Sequence, residues 1–175
     1  MKRLSAFFLV IMVAFAVMIG TQTRAWSWGP SLLFLGAALL ATLPAILKEN
    51  LINWKLLSFA AVTAAWFAFR AAVSPVRELL EADLLLLAAA VGSFIATAVV
   101  LRERAAEKIF LWGVASVLAA NTAVVAIQIK DPSFNPIFLS RPVTFPSGFF
   151  GHYNECANFV VGAGFLLLGS AIFSN

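Results

Sequence analysis

Arg141, His152, Asn154 and Glu155 fall within fifteen residues of one another, and Gly148 and Gly151 interrupt the chain between them. These residue types suit the binding of an anion. An arginine presents a planar fork that matches phosphate oxygens. Glycine permits positive φ and lets backbone come close to a ligand. A helix that starts near Asn154 turns its free N–H groups and the positive end of its dipole toward the same place. Each residue also has a structural reading. Asn154 is a competent N-cap, and Glu155 favours the positive end of a helix without any ligand. His152 can serve as an interfacial polar residue, and Arg141 can meet lipid head groups.

The segment that carries them differs from the rest of the chain. Lys130 to Glu155 holds Pro132, Pro136, Pro142 and Pro146, four of the seven prolines, together with Phe134, Phe138, Phe145, Phe149, Phe150 and Tyr153. Proline prevents regular helix, and aromatic side chains favour an interface. Such a loop lies against a membrane surface or folds back among helices, because irregular backbone at membrane depth needs protein or a watery cavity around it.

The elements that must position this loop follow from composition. Of 175 residues, 62% are hydrophobic and 11% charged, with a mean hydropathy of +0.97. A soluble domain averages about 45–50% apolar and about 25% charged residues. The apolar excess excludes a soluble domain and a disordered chain. Charge-free runs at Leu4–Thr23, Ala25–Leu47, Leu84–Leu101, Ile109–Ile129 and Cys156–Asn175 approach the length of a membrane span. Leu56–Phe69 adds a sixth if Arg70 snorkels to the interface. The runs are continuous rather than alternating and rich in Ala and Leu, so the expected fold is all-α, a polytopic bundle of about six transmembrane helices with no soluble domain. Its organisation reads as five helices over residues 1–129, an outward loop over 130–155, and a sixth helix over 156–175. Pro44 is expected to kink the second helix. Ala88, Gly92 and Ala96 are read as close helix packing on one face of the fourth.

The first run follows Lys2 and Arg3 and reads as a retained helix: its apolar stretch exceeds a signal-peptide core, and no small-x-small site follows it before Arg24. With the N-terminus inside, Lys2, Arg3, Lys48, Lys55, Arg102, Arg104 and Lys108 lie on the inner side. Arg24, Arg70, Arg77, Lys130 and Arg141 lie on the outer. Trp26, Trp28, Trp54 and Trp112 fall near helix ends, as interfacial indoles do. Cys156 is the only cysteine and His152 the only histidine, which excludes a structural zinc module and an intramolecular disulfide. The net charge of +4 belongs to loops between apolar runs, so membrane lipids rather than nucleic acid are the expected partners.

Gly148-Phe149-Phe150-Gly151-His152-Tyr153-Asn154-Glu155-Cys156-Ala157 resembles the segment that opens the conserved domain of the O-antigen ligase and polymerase superfamily. That pattern runs roughly Gly-x-Phe-Gly-His/Asn-Pro-Asn-x-x-Ala, often with an arginine shortly upstream, a place Arg141 matches. Tyr153 stands where the family usually has proline. The resemblance implies an integral protein of the bacterial inner membrane. Such proteins transfer a glycan from an undecaprenyl-diphosphate carrier to an acceptor at the periplasmic face, without metal or nucleotide sugar. It also implies that arginines near the surface hold the carrier diphosphate. Arg141 and the start of the sixth helix are the first candidates, with Arg70 and Arg77 on the same face as weaker ones. Gly148, Gly151, His152 and Asn154 complete the expected diphosphate site. The family's catalytic histidine belongs to a large periplasmic loop further along the chain, so His152 and Asn154 are expected to shape the turn rather than perform chemistry.

The expectation is therefore the N-terminal part of such a transferase, inactive alone, with a lipid-linked glycan donor and no cofactor. The alternatives are a non-catalytic membrane subunit that packs against a partner membrane protein, and a small transporter for a lipid-linked substrate.

Overall fold

The computed structural model describes residues 1–19, 25–48, 54–76, 80–136 and 145–173. Among these residues the chain is all-helical, with six α-helices and no strand. The helices are α1 (Lys2–Met18), α2 (Gly29–Lys48), α3 (Trp54–Ala72), α4 (Leu80–Val100), α5 (Arg104–Lys130) and α6 (Tyr153–Phe173). A short 3-10 turn, Ala25–Trp28, leads into α2. Four of the helices carry stretches long and apolar enough to cross a membrane: Gly29–Leu47, Leu80–Val100, Arg104–Lys130 and Tyr153–Ile172. The chain is a multi-pass membrane protein of all-α class, as its composition requires.

Helix boundaries reach beyond the charge-free runs because charged residues suit the helix ends. Glu81 and Asp83 sit in the first turn of α4, and Glu107 in that of α5, where carboxylates meet the positive end of the dipole. Arg70 and Lys130 sit in the last turns of α3 and α5, where cations are favoured. Pro44 lies inside α2, and helix continues on both sides of it.

The chain forms two compact units. One comprises Met1–Leu9 and Leu32–Glu107. Here Arg3 Nε lies 2.8 Å from Glu103 Oε1, and the buried Ser5 hydroxyl donates to the Ala38 carbonyl at 3.0 Å. Phe8 and Phe34 pack with ring centroids 6.1 Å apart. Gly92 is buried so closely under α2 that a Cβ there would lie 3.1 Å from Leu39 Cδ1. Ala96 is also buried, whereas Ala88 is exposed, so the small-residue face of α4 packs at two of its three positions.

The other unit comprises Val10–Ser31 and Lys108–Asn175. Gly113 of α5 meets α1 so closely that a Cβ there would collide with the Val10 side chain. Val17, Phe150 and Cys156 form its buried apolar core, with Val13, Val117, Val125, Phe149 and Phe159 packed around them. Two elements of this core, Phe150 and Cys156, come from the loop before α6 and from the first turns of α6.

Candidate functional site

The second unit is organised by two amides inside a membrane-crossing helix. Asn121 and Gln128 lie seven residues apart on α5, two helical turns, and therefore on one face. Both are fully buried, at 0% and 2% exposure. Buried amides are costly unless their hydrogen bonds are made. Here they are made to the backbone of the turn before α6 and to the Cys156 thiol in the first turn of α6. Gln128 Oε1 accepts from the N–H groups of Ser147 at 2.9 Å and Gly148 at 2.8 Å, while Nε2 donates to the Gly148 carbonyl at 3.1 Å. Asn121 Oδ1 accepts from the Phe149 N–H at 3.0 Å, and Nδ2 donates to Cys156 Sγ at 3.3 Å. The Ser147 hydroxyl closes the turn by donating to the Phe150 carbonyl at 2.7 Å. In this way side chains of α5 satisfy backbone groups that no regular element could serve, the condition for irregular backbone inside an apolar protein.

Gly148 adopts φ +67°, among the described residues the one left-handed glycine. A side chain there would be strained by conformation and would also run into the Asn121 carboxamide. The two amides and the glycine thus form one device. Phe150 enters the core and lies 5.6 Å from Phe159, centroid to centroid.

The chain turns outward immediately afterwards. Gly151, His152, Tyr153, Asn154 and Glu155 are all exposed. The His152 ring stacks on Tyr153 at 4.4 Å, and Phe145 meets the edge of Tyr153 at 5.6 Å. His152 Nδ1 accepts from the Asn154 N–H at 3.2 Å, and the His152 carbonyl accepts from Glu155 N–H at 3.1 Å. His152 is therefore the N-cap of α6. Asn154, a competent cap by residue type, lies inside the helix instead. Tyr153 and Asn154 already have helical backbone, and the last backbone group held by α5 before the helix is the Phe149 N–H, which leaves His152 at the boundary. The cap also engages the Asn154 N–H, one of the donors that an anion at this helix end would otherwise meet.

The fold brings together Gly148, Gly151, His152 and Asn154 of the expected diphosphate site, although Gly148 is buried and serves the turn rather than the surface. Arg141 and Arg77 lie outside the described residues. Arg70 belongs to the other unit, in the last turn of α3, where it lines a cleft with Ser74 and Asp83. Asn121 and Gln128 were not among the expected site residues. Their signal was present: they are the only carboxamides in the run Ile109–Ile129, spaced by two helical turns. No protein-family model, curated protein or solved structure matches this chain.

Proposed function

We propose that this chain serves an O-antigen ligase-like membrane glycosyltransferase, and that the junction before α6 docks the diphosphate of an undecaprenyl-diphosphate-linked glycan at the periplasmic face of a bacterial inner membrane. One observation carries the reading. The segment that resembles the family's opening motif is held by buried amides at Ser147–Phe149 and then presents Gly151–Glu155 to the exterior. A preorganised bend of this kind can hold polar groups still while charge develops on a bound anion.

In this reading, transfer of the glycan leaves negative charge on the departing diphosphate. Positive groups fixed beside it lower the barrier in a water-poor site. Arg141, seven residues upstream of Gly148, supplies the guanidinium fork. His152 contributes as the cap that sets the start of α6. The N-terminus lies on the cytoplasmic side. The Arg3–Glu103 ion pair fits this alternation, since both the start of α1 and the turn between α4 and α5 then belong to the inner surface.

The test is binding of undecaprenyl diphosphate to the full chain in lipid nanodiscs, read by native mass spectrometry. The expected result is a bound lipid that Arg141→Lys weakens about tenfold, because an ammonium lacks the bidentate geometry. No binding by the unsubstituted chain overturns the reading. Equal binding by Arg141→Lys removes the arginine from it.

A further inference from the structure

A cleft of about 500 Å³ opens in the first unit, where the end of α3 meets the start of α4. Its walls include Phe67, Leu86 and Leu87, and its polar groups are Arg70, Ser74 and Asp83. Phe67 and Leu86 remain 57% and 49% exposed, so the apolar wall is open to a ligand. Arg70 and Asp83 are exposed and, among the described residues, make no ion pair with each other or with any other group. The Ser74 hydroxyl accepts from the Val76 N–H at 3.3 Å and keeps its own proton to donate.

Charge selects the occupant. A diphosphate would meet Arg70 but would be repelled by the carboxylate of Asp83 in the same cleft. A simple cation would meet the reverse conflict. A molecule that carries one phosphate and one ammonium a few bonds apart satisfies both, and the apolar wall asks for a hydrocarbon chain on the same molecule. The position agrees: Arg70 lies in the last turn of α3 and Asp83 in the first turn of α4, which is where a span meets the head-group layer.

We infer that this cleft seats a zwitterionic phospholipid bearing a primary ammonium. Its phosphate takes Arg70 and Ser74, its ammonium donates to Asp83, and an acyl chain lies along Phe67, Leu86 and Leu87. The site is separate from the proposed diphosphate dock in both residues and ligand charge, and it stands or falls independently of it.

The experiment is lipid retention by the full chain, purified in detergent and analysed by native mass spectrometry after exposure to phosphatidylethanolamine, phosphatidylcholine or phosphatidylglycerol. Phosphatidylethanolamine should be retained about three- to tenfold better than the other two, a ratio in the range of one charge-assisted contact. Phosphatidylcholine lacks N–H donors for Asp83, and phosphatidylglycerol lacks the cation. Arg70→Gln should lower phosphatidylethanolamine retention by a similar factor. Asp83→Asn should shift preference toward phosphatidylglycerol by relieving the repulsion. Both side chains are exposed, so folding should survive, and Arg3→Gln, outside the cleft, should leave retention unchanged. Equal or greater retention of phosphatidylglycerol by the unsubstituted chain overturns the inference, as does the same preference in Asp83→Asn.

Discussion

The carboxamide of Gln128 grips both polar groups of a single residue, Gly148: its oxygen accepts from the glycine N–H at 2.8 Å and its nitrogen donates to the glycine carbonyl at 3.1 Å. Residues twenty positions apart are thereby joined as a strand would join its neighbour, in a protein whose described residues contain no strand. The bend before α6 owes its shape to α5.

Gln128→Leu preserves the bulk of the side chain and removes this grip. Three buried backbone groups at Ser147 and Gly148 then lose their partners. Each costs about 1–3 kcal/mol, so the loss of stability should be on the order of 3 kcal/mol or more. Faster amide hydrogen exchange at Ser147 and Gly148 is the expected reading. Thr122→Ala is the contrast. The Thr122 hydroxyl is exposed and only returns to Leu118 of its own helix, so stability should change by no more than about 0.5 kcal/mol.

The two glycines of the motif should respond differently to alanine. Gly148→Ala meets a positive φ and the Asn121 carboxamide together, and should destabilise by on the order of 3 kcal/mol. Gly151→Ala has open space around it and no positive φ, and should be tolerated to within about 0.5 kcal/mol. Thermal denaturation of the two variants in detergent checks the pair; equal midpoints would contradict the role assigned to Gly148.

His152 as the N-cap of α6 makes a prediction about side-chain type. His152→Ala should cost about 1 kcal/mol, whereas His152→Asn or His152→Ser, both good caps, should restore most of it. Helix content and unfolding midpoint report the cap. Failure of asparagine and serine to restore stability would mean that stacking of the ring on Tyr153, rather than the hydrogen bond, is what holds the residue.

Asp131 provides the pH-dependent expectation. The Ser133 hydroxyl, and after it the Ser133 N–H, hold this exposed carboxyl below its ordinary pKa. A depressed folded-state pKa means that the turn after α5 is stabilised above the unfolded value of about 3.9, and that this is lost as pH falls through the lower folded value. Ser133→Ala should raise the Asp131 pKa toward the ordinary range, as followed by NMR titration of the carboxyl carbon. An unchanged titration would show that the Ser133 hydroxyl does not set it.

The number and class of the helices were legible in the residues themselves. Hydropathy is a local sum, and a run such as Leu84–Leu101 states its preference for lipid without reference to any neighbour. The Pro- and Phe-rich segment announced a break in helix for the same reason, since proline acts on its own backbone. Helix ends are less legible. Charged residues just outside an apolar run interrupt a hydropathy count yet are favoured at helix termini, so α4 begins at Leu80 and α6 at Tyr153.

What tertiary structure alone decided is which residues make the bend. By residue type Asn121 and Gln128 are two polar side chains in an apolar run, and Gly148 is a residue that lets backbone come close to a ligand. Only when α5 and the chain before α6 lie together does the buried amide pair find its partners, and only then does Gly148 become a fixed, left-handed residue with no room for a side chain. Hydrogen-bond partners chosen across a fold depend on position in space rather than on residue type. That is why the sequence by itself determines a multi-pass helical protein, while the tightly held turn before α6 emerges from the packing.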